Sequence, residues 1–287
     1  MRPLLRLGIA TGLFFLASIS AFSVDIGAYF DLSRLDFARN RPSDASTLPG
    51  DAYIWGIAFS AQQELSDQFS LDLNFESDPV LRNVGYTLIS YTDQYFSIRL
   101  GPYFGILNTT SSILQSGLST TVRLYVPGVT ALTLRSDNTL SGRLVVPGDY
   151  IQEESELSIG FFAPNVIPAA YVRSKRYTWQ TEDGEAIDAL TAYGLQADIF
   201  EKNVPYGVVL DFSYQDVKRS YVEEETTTHA YGALVLGTDL SVDLLERFSL
   251  LLDLETSLYT FGLDDLLGEV SGDEFLFRLR AGVSCSF

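Results

Sequence analysis

Apolar and polar residues alternate in segment after segment of this chain. From Phe69 to Glu76, the residues Phe69, Leu71, Leu73 and Phe75 interleave with Ser70, Asp72, Asn74 and Glu76. A helix would scatter those acids around its circumference, whereas a strand, whose successive side chains point to opposite faces, gathers them on one side. The C-terminal stretch repeats the pattern: Phe275, Phe277, Leu279, Ala281, Val283, Cys285 and Phe287 alternate with Leu276, Arg278, Arg280, Gly282, Ser284 and Ser286. Near the other end, Val24, Ile26, Ala28, Phe30 and Leu32 alternate with Asp25, Gly27, Tyr29 and Asp31. Each of these predicts a strand with one apolar and one polar face.

Between them the same reading predicts strands at Tyr53–Gln62, Val84–Tyr91 and Phe96–Phe104, then at Leu118–Val126, Val129–Arg135, Leu140–Val146, Leu157–Ala163 and Val166–Trp179. Leu190–Ile199, Tyr206–Lys218, Ala230–Val242 and Phe248–Phe261 follow before the terminal strand. Residues 33–51, with Arg34, Arg39, Arg41, Pro42 and Pro49-Gly50, read as a long polar loop. Pro102 marks a bulge or an exposed end, because it has no N–H for the ladder. No linker divides the chain, so residues 24–287 form one all-β domain. A hydrophobic fraction of 46% and a mean hydropathy of +0.12 are high for a soluble chain. Beyond residue 23 no apolar run is long enough for a transmembrane helix. A transmembrane barrel reconciles the two, since only alternate residues face lipid. A secreted β-sandwich with its apolar faces packed together is the competing architecture.

Residues 1–23 read as a signal peptide. Arg2 and Arg6 give the charged start, Leu7–Ile19 the apolar core, and Ala21-Phe22-Ser23 the small residues before a cleavage site. Losing Arg2 and Arg6, with no acid alongside, takes the formal net charge from −18 to about −20. That acidity disfavours nucleic acid as a partner, because phosphate binding needs concentrated Lys and Arg. The single Cys285 cannot form an internal disulfide and sits among apolar residues as a small hydrophobe.

A strand of alternating pattern ending in an aromatic carboxyl terminus, below a signal peptide, resembles the C-terminal insertion signal of bacterial outer-membrane β-barrel proteins. Phe275, Phe277, Leu279, Val283 and Phe287 carry the likeness. The resemblance implies an outer-membrane location in a diderm bacterium, contact with outer-membrane lipid, and recognition of this strand by the barrel-assembly machinery. It also implies an even strand number with both ends on the periplasmic side. The candidates above number fifteen, so one is surplus. Either Val129–Val146 is one bent strand or part of 112–136 is loop, and both repairs give about 14 antiparallel strands, with 12 to 16 as the range. Outer connections then fall at 147–156, 180–188, 220–228 and 262–274, and short inner ones near 137, 164, 201–205 and 243–247. The outer four hold acids such as Glu153, Glu154, Glu156, Glu185, Asp188 and Glu223-Glu224-Glu225, with no Lys or Arg.

The same parity places Arg99, Arg123, Arg143, Asp211, Asp253, Glu255, Arg278 and Arg280 on polar faces as pore-lining candidates. A loop over 262–273 would set Glu255 opposite Arg280, as a cross-strand ion pair or as lumen charge. The lone His229, beside the acidic Glu223–Glu225 run, has no Ser or Asp at a spacing that suggests catalysis. There is no nucleophile elbow, paired-His metal motif or phosphate-binding glycine loop, so no enzyme, cofactor or metal is expected. These readings converge on a channel for passive diffusion of small hydrophilic solutes or ions, with a cation preference set by the acidic rim. A non-conducting barrel with loops for adhesion or envelope structure is the alternative, and the soluble sandwich the third.

Overall fold

Strands that bury their polar halves inside and turn apolar halves outward must leave no edge open, because an unpaired N–H or C=O in hydrocarbon costs several kcal/mol. The chain meets this by closure. In a computed structural model, which describes residues 24–34, 53–78, 82–107, 113–139, 150–180, 184–200, 204–222, 226–245, 247–261 and 277–287, fourteen antiparallel strands form a closed barrel. They are β1 (Val24–Arg34), β2 (Tyr53–Glu64), β3 (Phe69–Asp78), β4 (Arg82–Thr92), β5 (Phe96–Leu107), β6 (Ile113–Val126) and β7 (Thr130–Thr139). The circuit continues through β8 (Tyr150–Phe161), β9 (Val166–Gln180), β10 (Glu185–Phe200), β11 (Tyr206–Val222), β12 (Thr226–Leu245), β13 (Phe248–Phe261) and β14 (Phe277–Ser286). Every strand pairs with its sequence neighbours, and β1 pairs with β14 from Asp25 opposite Ser286 to Arg34 opposite Phe277. Backbone hydrogen bonds between Val24 and Phe287, at 3.0 and 3.4 Å, finish that seam at one rim. The sandwich architecture is therefore excluded.

Side chains sort by parity as the pattern requires. Phe59, Phe75, Leu100, Leu134, Leu195, Phe212 and Leu252 are exposed on the outer wall. Large apolar side chains left this open have no place in water at such density, and the outer wall is a belt for lipid. On β8, β9 and β11 the outer face turns polar at Glu153, Ser155, Ser174, Arg176 and Lys218, away from the short turns. There the wall stands taller: β9 to β12 run 15 to 20 residues, against 10 to 12 for β1 to β5.

Short turns gather at the rim where the described chain ends meet. In two of them the residue types explain the geometry. Between β6 and β7, Pro127 supplies the fixed φ and Gly128 the positive φ (71°) of a type II turn, closed by Val129 N–H donating to Val126 O at 2.9 Å. Between β8 and β9, Pro164 and Asn165 (φ 66°) do the same between Ala163 and Val166. The opposite rim carries the connections 35–52, 108–112, 140–149 and 262–276, as well as three short ones.

Three expectations change in detail. The two candidates of which one was expected to be surplus, Leu118–Val126 and Val129–Arg135, belong to two separate strands joined by the Pro127-Gly128 turn, and Leu140–Val146 lies outside the described residues, between β7 and β8. The inner connection placed near 137 is instead this turn at 127–129, because Ser136-Asp137-Asn138, which has turn-forming composition, continues β7. Glu153, Glu154 and Glu156 belong to β8 and Glu185 and Asp188 to β10, so much of the acid assigned to loops rides on strands. The end of β8 is polar on both faces and that of β10 carries an acid on each, which breaks the alternation that would have revealed them. At Pro102 the β4–β5 ladder lapses between Tyr86–Tyr103 and Ile89–Leu100 without a change of register.

Candidate functional site: the charged inner wall

The inward set of side chains forms ordered rows, because residues directly opposed across a ladder share a face. One row reads Ser70, Ser90, Arg99, Thr121, Arg135, Glu156, Arg173 from β3 to β9. The row beside it carries Ser119, Asp137, Glu154 and Lys175, and on the other side Arg123 stands opposite Ser97 and Thr133. Thus β5 to β9 bring Arg99, Arg123, Arg135, Arg173 and Lys175 to one sector of the wall.

Each of the four arginines has a near neighbour on the wall. Arg99 Nε lies 3.0 Å from Asp72 Oδ2, Arg135 donates from Nε (3.0 Å) and Nη2 (2.6 Å) to Asp137 Oδ2, and Arg173 Nε donates to Glu156 Oε2 at 2.6 Å. Arg123 Nε donates to Thr133 Oγ1 at 3.1 Å. The acids are themselves fixed: Ser90 Oγ donates to Asp72 at 2.8 Å, and Ser119 Oγ donates to Asp137. Arg173 also stacks over Tyr171, 5.0 Å from its ring centroid.

The next sector is acidic. Asp198, Asp211, Asp239, Asp253 and Glu255 face inward from β10 to β13, with Asp239 directly opposite Asp253. Tyr171 reaches this sector from β9 by lying across β10 at Gly194, where any Cβ would collide with its ring, and its hydroxyl donates to Asp211 Oδ1 at 2.8 Å. The wall then returns to mixed charge at the closing seam. Arg278 and Arg280 of β14 donate to Asp31 Oδ2 of β1 at 3.0 and 3.1 Å, and Arg280 Nη2 reaches Glu76 Oε1 at 3.5 Å. Farther toward the tall rim, Leu190, Val217, Tyr231 and Val235 make a buried apolar patch on the inner face of β10 to β12.

Two cavities open inside the barrel. One of about 480 Å³ is lined by Arg99, Arg123, Arg135, Arg173, Lys175 and Arg278, together with Glu76, Glu154 and Glu156. The other, of about 390 Å³, is lined by Tyr29, Glu76, Asp198, Asp239, Asp253 and Arg280. Among the described residues no group of acids, histidines and cysteines is arranged to hold a metal ion.

Of the residues singled out by sequence, Arg99, Arg123, Asp211, Asp253, Glu255, Arg278 and Arg280 lie on inward positions of their strands. Arg143 and Phe275 lie outside the described residues, and His229 is described only by its backbone, opposite Arg219. The register of the last hairpin corrects one pair: Glu255 faces Arg278, and Arg280 faces Asp253. The ladder sits two residues from the register assumed, because alternation fixes which residues face inward but not which of them pair. Sequence reasoning did not single out Asp31, Asp72, Glu76, Arg135, Asp137, Arg173, Lys175 or Asp239 as wall residues, and it placed Glu154 and Glu156 in an outer connection. Alternation alone marks Asp31, Asp72 and Glu76, and a ladder register was needed for the others.

No family model matches the chain, and no curated protein matches it. Solved structures share the architecture. An outer membrane channel from Pseudomonas putida F1 is 7% identical, with a TM-score of 0.53 over 93% of this chain and 95% of that one. A structure described as a bacterial polysaccharide outer membrane secretin is also 7% identical, with a TM-score of 0.50 over 92% and 98%. A porin is 10% identical with a TM-score of 0.42 over 92% and 99%. At such identity the likeness concerns the fold alone. The fold is that of an outer-membrane β-barrel, and the apolar belt sets the chain in that membrane.

Proposed function

We propose that the barrel is a passive channel through which small hydrophilic solutes and ions cross the outer membrane, without catalysis. The observation that carries this reading is an inner wall studded with charge around cavities of about 390 and 480 Å³, inside a closed barrel whose outer wall is apolar. A fourteen-strand barrel is wider than an eight-strand one whose side chains fill it. Charges on the wall then cost little, since water reaches them, and they set the field that a passing ion meets. In this reading residues 1–23 are removed on export, and β14 is the strand handled by the assembly machinery.

Cation preference is part of the proposal. The acidic sector from Asp198 to Glu255 offers small cations a path along one side of the lumen, and a formal net charge of about −20 without residues 1–23 favours cations in the same sense. Protein purified from outer membranes and inserted into planar bilayers is expected to conduct. Under a KCl gradient its reversal potential is expected to shift toward the K⁺ equilibrium value. A bilayer that stays silent at every protein dose rejects the channel, and a shift toward the Cl⁻ value rejects the preference alone. The buried patch of Leu190, Val217, Tyr231 and Val235 favours a second reading, a non-conducting barrel partly filled on that side, and the silent bilayer is its signature.

A further inference from the structure

We infer that the arginine sector of β5 to β9 is a binding site for small solutes carrying two or more oxyanion groups. This deepens the channel reading and rests on a lumen that solutes can enter. The two arginine systems on the inner wall differ in what they show to the lumen. At the closing seam, Arg278, Arg280 and Asp31 are all nearly enclosed, with side-chain exposures of 15%, 18% and 14%. There cation and anion hide together, as in a structural ion pair. In the sector from β5 to β9 the partners separate by depth. Arg99, Arg135 and Arg173 are 39%, 51% and 36% exposed, while Asp72, Asp137 and Glu156 are 8%, 0% and 22% exposed. Asp72 and Asp137 lie behind their guanidiniums, and the 480 Å³ cavity is lined by Arg99, Arg123, Arg135, Arg173, Lys175 and Arg278 against three glutamates, so a solute there meets more cation than anion.

The mode of attachment sharpens the point. Arg123 and Arg173 donate through Nε, the donor nearest the stem, Arg135 through Nε and Nη2, and Arg99 keeps its Nε 3.0 Å from Asp72 without a hydrogen bond there. A guanidinium has five N–H donors in a planar fork that matches oxyanions, and anchoring it by the one or two donors used at Arg123, Arg135 and Arg173 fixes the direction of the others. The side-chain entropy normally lost on binding is thereby lost in folding. Spacing then selects the solute. Arg99, Arg135 and Arg173 recur on alternate strands of one row, and two strand spacings put neighbours about 10 Å apart along the wall. One phosphate or one carboxylate cannot bridge that distance, but a compact polycarboxylate or an acidic oligosaccharide can.

Equilibrium calorimetry on the purified full-length barrel tests the site, with citrate, inorganic phosphate and glucose as probes and heat-modifiable gel mobility as the check on folding. Citrate is expected to bind saturably and to weaken as KCl rises, phosphate to bind more weakly, and glucose not at all. Arg123→Gln orphans no carboxylate, since Thr133 is its described partner, and should weaken citrate about tenfold, the loss of one charge-assisted contact. The double change Arg135→Gln with Asp137→Asn leaves formal net charge unchanged and should weaken citrate similarly, so a loss there reports the site rather than the overall field. Folded protein that takes up no citrate, binds glucose or phosphate as tightly as citrate, or binds citrate as tightly in both variants as in the unaltered protein overturns the inference. Citrate binding by a barrel silent in bilayers would keep the site and reject conduction; conduction without citrate binding would do the reverse.

Discussion

Asp31 joins the two ends of the described chain more directly than any other side chain. It receives Arg278 and Arg280 from β14 while sitting on β1, more than two hundred residues away in sequence. Removing a partner from such a group leaves like charges facing each other with little water to screen them. Asp31→Asn is therefore expected to destabilise the barrel by about 2 kcal/mol, less than the roughly 3–5 of a fully buried pair because all three side chains keep some exposure. Urea unfolding followed by gel mobility measures it, and an unchanged midpoint would show that the seam is held by backbone pairing alone. The arginines of β5 to β9 contrast with this arrangement at the same scale. Their carboxylates are the buried partners, so neutralising Asp137 alone strands no second carboxylate and frees Arg135 toward the lumen.

Strands explain which parts of the molecule were legible without coordinates. Where one face meets lipid, alternation fixes both the element and the direction of every side chain, as in β3, β5 and β14. Asp72 and Glu76 are inward for the same reason that Leu71 and Phe75 are outward. Above the lipid, β8 has polar residues on both faces and β10 an acid on each, and Glu153 to Glu156 then look like loop. Turn composition misleads at Ser136-Asp137-Asn138, where Arg135 and Ser119 capture Asp137 and the strand runs on. Registry between strands is the other gap: Arg278 and Arg280 share a face, so alternation alone does not say which of them Glu255 meets. On β11 the two faces give a paired prediction. Leu210→Arg puts a charge in the middle of the lipid belt and is expected to cost about 2–4 kcal/mol of folding stability, measured by detergent-to-lipid folding titrations. Asp211→Asn, one residue on, is expected to leave folding nearly unchanged and to reduce K⁺ over Cl⁻ preference in bilayers. Equal folding penalties at the two sites would mean that β11 does not separate lipid from lumen.

Taken whole, the barrel divides its interior lengthwise into an arginine sector on β5 to β9, an acidic sector on β10 to β13 and a neutralised seam at β14 and β1. Closure and the strand number follow from alternation and evenness, whereas the division into sectors arises from pairing strands whose charges lie far apart in the chain. Arg99 and Arg173 share a row although 74 positions separate them. A mean-field view of an acidic protein misses this, because a formal charge of −18 coexists with a wall that presents guanidinium groups. All of it depends on acyl chains outside and water inside. Single cysteines placed in turn at Leu252, Asp253, Leu254 and Glu255 of β13, in a Cys285→Ser background and carrying spin labels in lipid vesicles, measure that directly. Labels at 252 and 254 are expected to collide with oxygen dissolved in the bilayer, and labels at 253 and 255 with a water-soluble nickel chelate. Four labels with the same accessibility, or chelate excluded from 253 and 255, would contradict a water-filled lumen enclosed by a lipid-facing wall.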